Sequence, residues 1–293
     1  MADKLQLKSY AKINLLLDVL GKYENDYHQV EMIMQTIDLY DKLFFTKIDS
    51  GINIECKHPG VPSGEKNLIY QAASLLRDEF AVESGLKVKV EKNIPVAAGL
   101  AGGSSNAAAT LVAVNKLWGL GLNTSELEKR GAELGSDIPF CLAGGTQLAT
   151  GTGTELEKLE LDPKLDLVVV NPPFEVSTAE IYKNLNLAEI NCHPQVEKLM
   201  MALKRDDYRD ILSNLENLLE LVAINRYPKI EEIKKIVAAE TDRVLMSGSG
   251  PTILGFVNSK SKAQEAAASL KQKLDTNYKI VSATTVNTGV ELF

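Results

Sequence analysis

The sequence predicts an α+β protein of two lobes. Three observations carry this: period-two apolar alternation opens the chain, three-to-four spacing recurs in several later stretches, and a Pro-Pro pair breaks a buried strand past the midpoint. At 293 residues with 45% apolar content, the chain can bury two moderate cores.

Leu5, Leu7, Ile13, Leu15, Leu17 and Val19 alternate with mostly polar neighbours, the period of strands with one buried face. Further strands are expected at 42–48, 52–56 and 86–90. Between the last two, Leu68, Ala72, Leu75, Leu76 and Phe80 mark an amphipathic helix. Ala107, Ala108, Leu111, Val112 and Trp118 mark the next, with Ser104 or Ser105 placed to cap its first turn. A third helix is expected from about Ser125, on the capping pattern Ser125-x-x-Glu128, to Gly135. The run 165–170 reads as a buried strand that Asn171-Pro172-Pro173 must end, which places the boundary between lobes 1–165 and 166–293. Helices at about 195–203, 208–223, 230–239 and 261–274, and strands near 253–257 and 280–286, complete the second lobe. Two such lobes enclose a cleft.

A net charge of −7 with 24% charged residues argues against nucleic acid as a partner, but not against a nucleotide, whose phosphates are held by a few local amides and cations. Cys56, Cys141 and Cys192 are too few and too scattered for a disulfide framework or a zinc site, and suit a reducing cytoplasm. The start, Met1-Ala2-Asp3-Lys4, is charged, and no apolar run reaches membrane-spanning length. Nothing in the pattern fixes an oligomeric state.

The strongest chemical signal is the run Pro95, Val96, Ala97, Ala98, Gly99, Leu100, Ala101, Gly102, Gly103, Ser104, Ser105, Asn106 ahead of an alanine-rich helix. Glycine admits positive φ and lets the backbone approach a phosphate, while the helix N-terminus offers free amides and roughly half a unit of positive charge. No lysine follows Gly103, so this is not the G-x-x-x-x-G-K-[ST] loop, and no G-x-G-x-x-G is present. A helix-packing turn is the alternative, but packing alone does not need so many small residues in a row. A second cluster, Ser247-Gly248-Ser249-Gly250-Pro251, reads equally as a structural turn, and gains weight if it meets the first. Lys12 and Asn14, two apart on a strand, share one face while Ile13 and Leu15 share the other. A strand lysine is usually solvated, and Asp137, in the loop after the third helix, could simply cap a turn.

Together, Ala11-Lys12-Ile13-Asn14, the 95–106 loop, Gly135-Ser136-Asp137-Ile138-Pro139 and Ser247–Pro251 resemble, in order and approximate spacing, the GHMP small-molecule kinases over nearly the whole chain. Tyr27-His28 and Glu31-Met32-Ile33-Met34 resemble the branch of that family that acts on a cytidyl-linked polyol. The resemblance implies a two-lobed GHMP kinase fold, ribosomal protein S5 domain 2-like in the first lobe and ferredoxin-like in the second, with ATP, accompanied by Mg2+, and the substrate in the cleft. By the same resemblance Asp137 takes the proton of the acceptor hydroxyl, and Lys12 keeps that carboxylate ionised and neutralises the moving phosphoryl group. Residues 95–105 would hold the ATP phosphates, Asn67 and Leu68 would lie against adenine, and Ser105 could help hold the metal. Asn14, Tyr27, His28, Thr178 and Tyr182 would hold the acceptor, with rings on the two faces of the cytosine.

The family pattern carries glycine where this chain has Asp26, so a positive φ there would fall on aspartate. His58, His193 and the cysteines read as structural or incidental. The rivals are a GHMP kinase for another small alcohol, which would have no base for Tyr27, His28 and Tyr182 to stack on, and a silent nucleotide-binding regulator, which would have no need of the Lys12–Asp137 pair.

Overall fold

The structure, a computed structural model, describes residues 3–24 and 26–293; Met1, Ala2 and Asn25 lie outside the described residues. Its strands are β1 (Lys4–Lys22), β2 (His28–Ile48), β3 (Ile52–Cys56), β4 (Gly85–Glu91), β5 (Thr146–Thr150), β6 (Glu155–Leu159), β7 (Asp166–Asn171), β8 (Glu216–Asn217), β9 (Arg243–Met246), β10 (Ile253–Val257), β11 (Lys279–Thr284) and β12 (Val290–Leu292). Its α-helices are α1 (Leu68–Glu79), α2 (Gly102–Trp118), α3 (Thr124–Leu134), α4 (Ile138–Ala143), α5 (Thr178–Lys183), α6 (Val196–Arg205), α7 (Tyr208–Ser213), α8 (Glu220–Arg226), α9 (Lys229–Ala238) and α10 (Lys260–Lys273). None is long and apolar enough to cross a membrane among the described residues.

One sheet runs β12-β1-β2-β4-β3, with β5 and β6 extending from β2 and β8 adding to β1. The strand expected at 42–48 is the far end of β2, which begins at His28. Its first half hides from a period-two search because Met32, Ile33 and Met34 are buried in succession. The β1–β2 ladder slips at Tyr10/Ala11, Asn14/Leu16 and Val19/Gly21. Each slip turns the strand over. Leu7, Leu17 and Val19 pack under the helices of the first lobe, whereas Ala11, Ile13 and Leu15 pack against the second sheet. The stretch between the first two slips therefore presents Lys12 and Asn14 to the helix side.

The second sheet is antiparallel in the order β11-β7-β10-β9, the strand order of a ferredoxin-like split βαβ unit. β7 is buried on both faces: Val168 and Val170 join the core beneath α9 and α10, while Leu167 and Val169 face the first lobe together with Ile13, Leu15 and Phe256. The boundary drawn at 165/166 falls at the start of β7; β8 and β12, which lie beyond it in sequence, pair with β1 in the first sheet.

Three local expectations change. The helix expected at 208–223 is two, α7 and α8, because Glu216 and Asn217 leave to pair with β1 and Leu218 N–H donates to the Leu17 carbonyl at 2.9 Å. Its apolar spacing continues through the break, so periodicity alone cannot see it. α3 is capped by Asn123 and Glu126 in a reciprocal box rather than by Ser125 and Glu128. The Asn115 carboxamide holds both backbone groups of Leu122 and so fixes the earlier entry. α2 starts at Gly102, and neither Ser104 nor Ser105 caps it; its N-cap, Ala101, is left-handed at φ 53°.

Candidate active site

Residues 95–105 run from β4 into α2, with φ of 52° at Ala97, 73° at Gly99 and 53° at Ala101. Left-handed backbone at alternate residues turns successive amides toward one concavity, the arrangement that receives anions. Ala98 and Leu100 are buried in the interlobe core, while Ala97 and Gly103 stay exposed. The run is thus fastened from below and open above. Lys12 N–H donates to the Leu100 carbonyl at 3.2 Å, which ties β1 directly to it.

Its entrance is held by an ion pair that sequence reading passed over. Lys92 Nζ lies 2.6 Å from Asp41 Oδ2, and Asp41 Oδ1 accepts the amides of Asn93 (2.6 Å) and Ile94 (2.8 Å). Lys92 also donates to the Ile94 carbonyl at 2.7 Å. Both side chains are buried, and burial pulls the Lys92 ammonium below its ordinary range against the opposing pull of Asp41. Asp38 and Lys42 stand close to Asp41 in sequence, so nothing local marks it as the buried one. Asp41→Ala leaves Lys92 buried without its partner, so urea unfolding is expected to show a loss of about 3–5 kcal/mol. Wild-type stability in that variant would show that the pair does not hold the loop entrance.

The second glycine cluster does meet the first. Ser247 Oγ donates to the Gly99 carbonyl at 3.0 Å, and a Cβ on Gly99 would stand 2.3 Å from the Ser247 carbonyl oxygen. From its other side Ser249 Oγ contacts Thr178 Oγ1, on α5, at 2.7 Å.

Lys12 and Asn14 lie side by side, with Nζ donating to Oδ1 at 3.0 Å. Asp137, at the N-cap of α4, brings Oδ2 to 3.8 Å from Lys12 Nζ, and its side chain is 32% exposed where that of Lys12 is 8%. A buried cation thus faces a carboxylate open to the cleft. Burial, reinforced by Asp137, pushes the Cys141 thiol well above its ordinary range, so it stays an inert part of the core.

His28 and Tyr182 are in ring contact, centroids 4.8 Å apart at 39°. Burial and the Asp137 charge push the Tyr182 phenol up to about 12, so it remains neutral at working pH. Burial also lowers the His28 imidazole, with Lys22 acting in the same direction. Tyr27 is 64% exposed. Asp26 takes φ 68°, the left-handed conformation anticipated for it, with Lys22 2.5 Å away. α5, which carries Thr178 and Tyr182, is pinned by Glu180: its Oε1 accepts Arg226 and its Oε2 accepts the Tyr227 hydroxyl at 2.8 Å.

Two expected site residues sit differently. The Asn67 side chain is spent on capping α1, accepting from Ile69 N–H at 2.9 Å and donating to the Pro62 carbonyl at 2.7 Å, and the residue is 5% exposed. Leu68, by contrast, reaches to 3.5 Å from where a Cβ on Gly103 would lie. The Ser105 hydroxyl donates to the Tyr10 carbonyl at 2.7 Å and is fully buried, so it faces away from the open side of the loop. His193, read as incidental, places Nδ1 at 2.9 and 3.0 Å from the two oxygens of buried Asp18.

The chain belongs to the GHMP kinase family: the descriptions "GHMP kinases N terminal domain" and "GHMP kinases C terminal" match residues 67–145 and 187–276. Among its relatives are proteins named 4-diphosphocytidyl-2-C-methyl-D-erythritol kinase. That of Bacillus mycoides (strain KBAB4) is 47% identical over 92% of this chain and 93% of its own length. That of Clostridium botulinum (strain Alaska E43 / Type E3) is 44% identical over 92% of this chain and 96% of its own. A crystal structure of 4-(cytidine 5'-diphospho)-2C-methyl-D-erythritol kinase superposes with a TM-score of 0.83 at 30% identity, covering 96% of this chain and 99% of that one.

Proposed function

We propose that the chain phosphorylates the 2-hydroxyl of 4-diphosphocytidyl-2-C-methyl-D-erythritol with ATP, in non-mevalonate isoprenoid precursor biosynthesis. One observation carries the chemistry: the Lys12–Asp137 pair lies beside a concave amide loop that is hydrogen-bonded to Lys12 itself. Phosphoryl transfer asks for positioning and charge neutralisation rather than covalent help, and this arrangement supplies both.

In this reading the amides of residues 95–105 seat the ATP phosphates and Leu68 flanks the adenine. Asp137 accepts the proton of the acceptor hydroxyl as its oxygen attacks the γ-phosphorus. Lys12, held by Asn14, stands beside that carboxylate and offsets charge on the phosphoryl oxygens. Mg2+ would reach the site on the ATP phosphates, which suits a cleft where no group of three or more His, Cys, Asp or Glu side chains gathers among the described residues. Tyr27, His28, Tyr182 and Thr178 receive the cytidyl end. With His28 and Tyr182 already in contact, cytosine is placed between Tyr182 and Tyr27 with the imidazole at its polar edge.

The test is ATP-dependent ADP release with the cytidyl polyol, mevalonate, homoserine and galactose in parallel. Turnover is expected with the first alone; turnover only with another alcohol would overturn the substrate assignment. Tyr182→Ala is expected to raise KM for the cytidyl polyol about tenfold, the loss of one stacked face, and to leave KM for ATP unchanged. An unchanged acceptor KM would remove Tyr182 from the base pocket.

A further inference from the structure

The turn 247–251 has no core of its own, yet it presses on the phosphate loop at Gly99, so something must hold it. Asn217 does so from beneath. Its Nδ2 donates to the Met246 carbonyl at 2.7 Å and to the Gly248 carbonyl at 2.8 Å, while Oδ1 accepts Leu219 N–H at 3.0 Å. The residue is 5% exposed, and these bonds use both of its amide hydrogens. Glu220 completes the bracket, with Oε1 accepting Met246 N–H at 2.6 Å and Oε2 paired with Lys234. Asn217 is in turn fixed to the first lobe: it pairs with Leu17 on β1, the strand that carries Lys12 and Asn14.

We propose that Asn217 is a positioning residue for phosphoryl transfer, which seats the nucleotide loop through the 247–251 turn without touching ATP. The proposal rests on the reading of residues 95–105 as the ATP phosphate seat. β1 places the ammonium of Lys12; through Asn217 the same strand places the turn that closes on Gly99. Cation and amide cradle are thereby referenced to one strand, and a displaced turn would loosen the cradle most directly, its other contact being Ser249 with Thr178. The acceptor half has a further anchor, because Glu180 ties α5 to Arg226 and Tyr227 at the far end of α8.

Asn217→Asp separates this role from simple support. The aspartate keeps an acceptor for Leu219 N–H but loses both donors and sets a carboxylate against two carbonyls. The ATP dissociation constant, measured by titration without acceptor, is expected to rise about tenfold, with the acceptor KM changing less. Leu270→Ala, a cavity in the core beneath α10, serves as a variant of lowered Tm; it is expected to leave ATP affinity unchanged. Gly99→Ala tests the underlying reading in the same assay. If Gly99→Ala weakens ATP and Asn217→Asp does not, the proposal falls alone. If neither weakens ATP, the reading of the phosphate seat falls with it. If Leu270→Ala weakens ATP as much as Asn217→Asp does, the effect is general destabilisation and the proposal is overturned.

Discussion

Asp137→Asn is expected to lower turnover by about 10²- to 10⁴-fold, the contribution of a positioned general base, while ATP affinity stays within a few-fold of wild type. The substitution preserves shape, removes the negative charge and turns one carboxylate oxygen into an amide NH2. Asp137 is partly exposed at the head of a short helix, and Lys12 keeps its hydrogen bond to Asn14, so the variant should fold with little change in Tm. The loss would therefore be chemical rather than structural. Lys12→Met should reduce turnover on a similar scale, and the double variant should be little worse than either single one, because a base and the cation beside it act as a unit. Single-turnover kinetics at saturating ATP would decide the matter. A folded Asp137→Asn protein with near-normal turnover would remove Asp137 as the base.

Gly99→Ala is expected to cut kcat/KM for ATP by about 10²-fold, the order of loss that follows a displacement of about 1 Å in a preorganised site. Two costs combine there. The residue sits at φ 73°, which disfavours any side chain, and the new methyl would stand 2.3 Å from the Ser247 carbonyl oxygen and 3.3 Å from that of Gly250. The nearest obstacle is backbone, so no rotamer can relieve it and one loop must retreat from the other. Acceptor KM, measured in parallel, should change far less. Wild-type kinetics in this variant would mean that contact between the two glycine turns plays no part in holding ATP.

Much of the candidate site is legible because the proposed chemistry is written in local residue types. The small-residue run 95–105, the two-residue spacing of Lys12 and Asn14, and Asp137 after a helix end each carry a local physical reason. The supports were not legible. Asp41 and Lys92 lie far apart in sequence and meet only when β2 folds beside the loop entrance. Asn217 sits in a stretch whose apolar spacing reads as continuous helix, and only its pairing with β1 lifts it out. The slips in β1 were equally silent: a simple alternation rule gives Lys12 and Asn14 a common face, but cannot say that Leu7 and Ile13, three pairs apart on the same parity, belong to different cores. Asn67 and Ser105 show the converse, since polar residues in suggestive positions proved to be hydrogen-bonding the backbone instead.

The pairing of β12 with β1 bears on when the surroundings of Lys12 can form. Leu7 stands opposite Leu292 and Ser9 opposite Val290, so the strand that carries Lys12 gains its outer neighbour from residues far along the chain. Gly289 packs so closely on α4, just after Asp137, that a Cβ there would sit 1.9 Å from the Cys141 carbonyl oxygen. As the chain folds, β1 and β2 can pair early because they adjoin in sequence, but the surroundings of Lys12 and Asp137 stay incomplete until residues 289–292 have joined them. Lys12 and Asp137 would thus reach their final surroundings late in folding, after most of the first sheet has assembled.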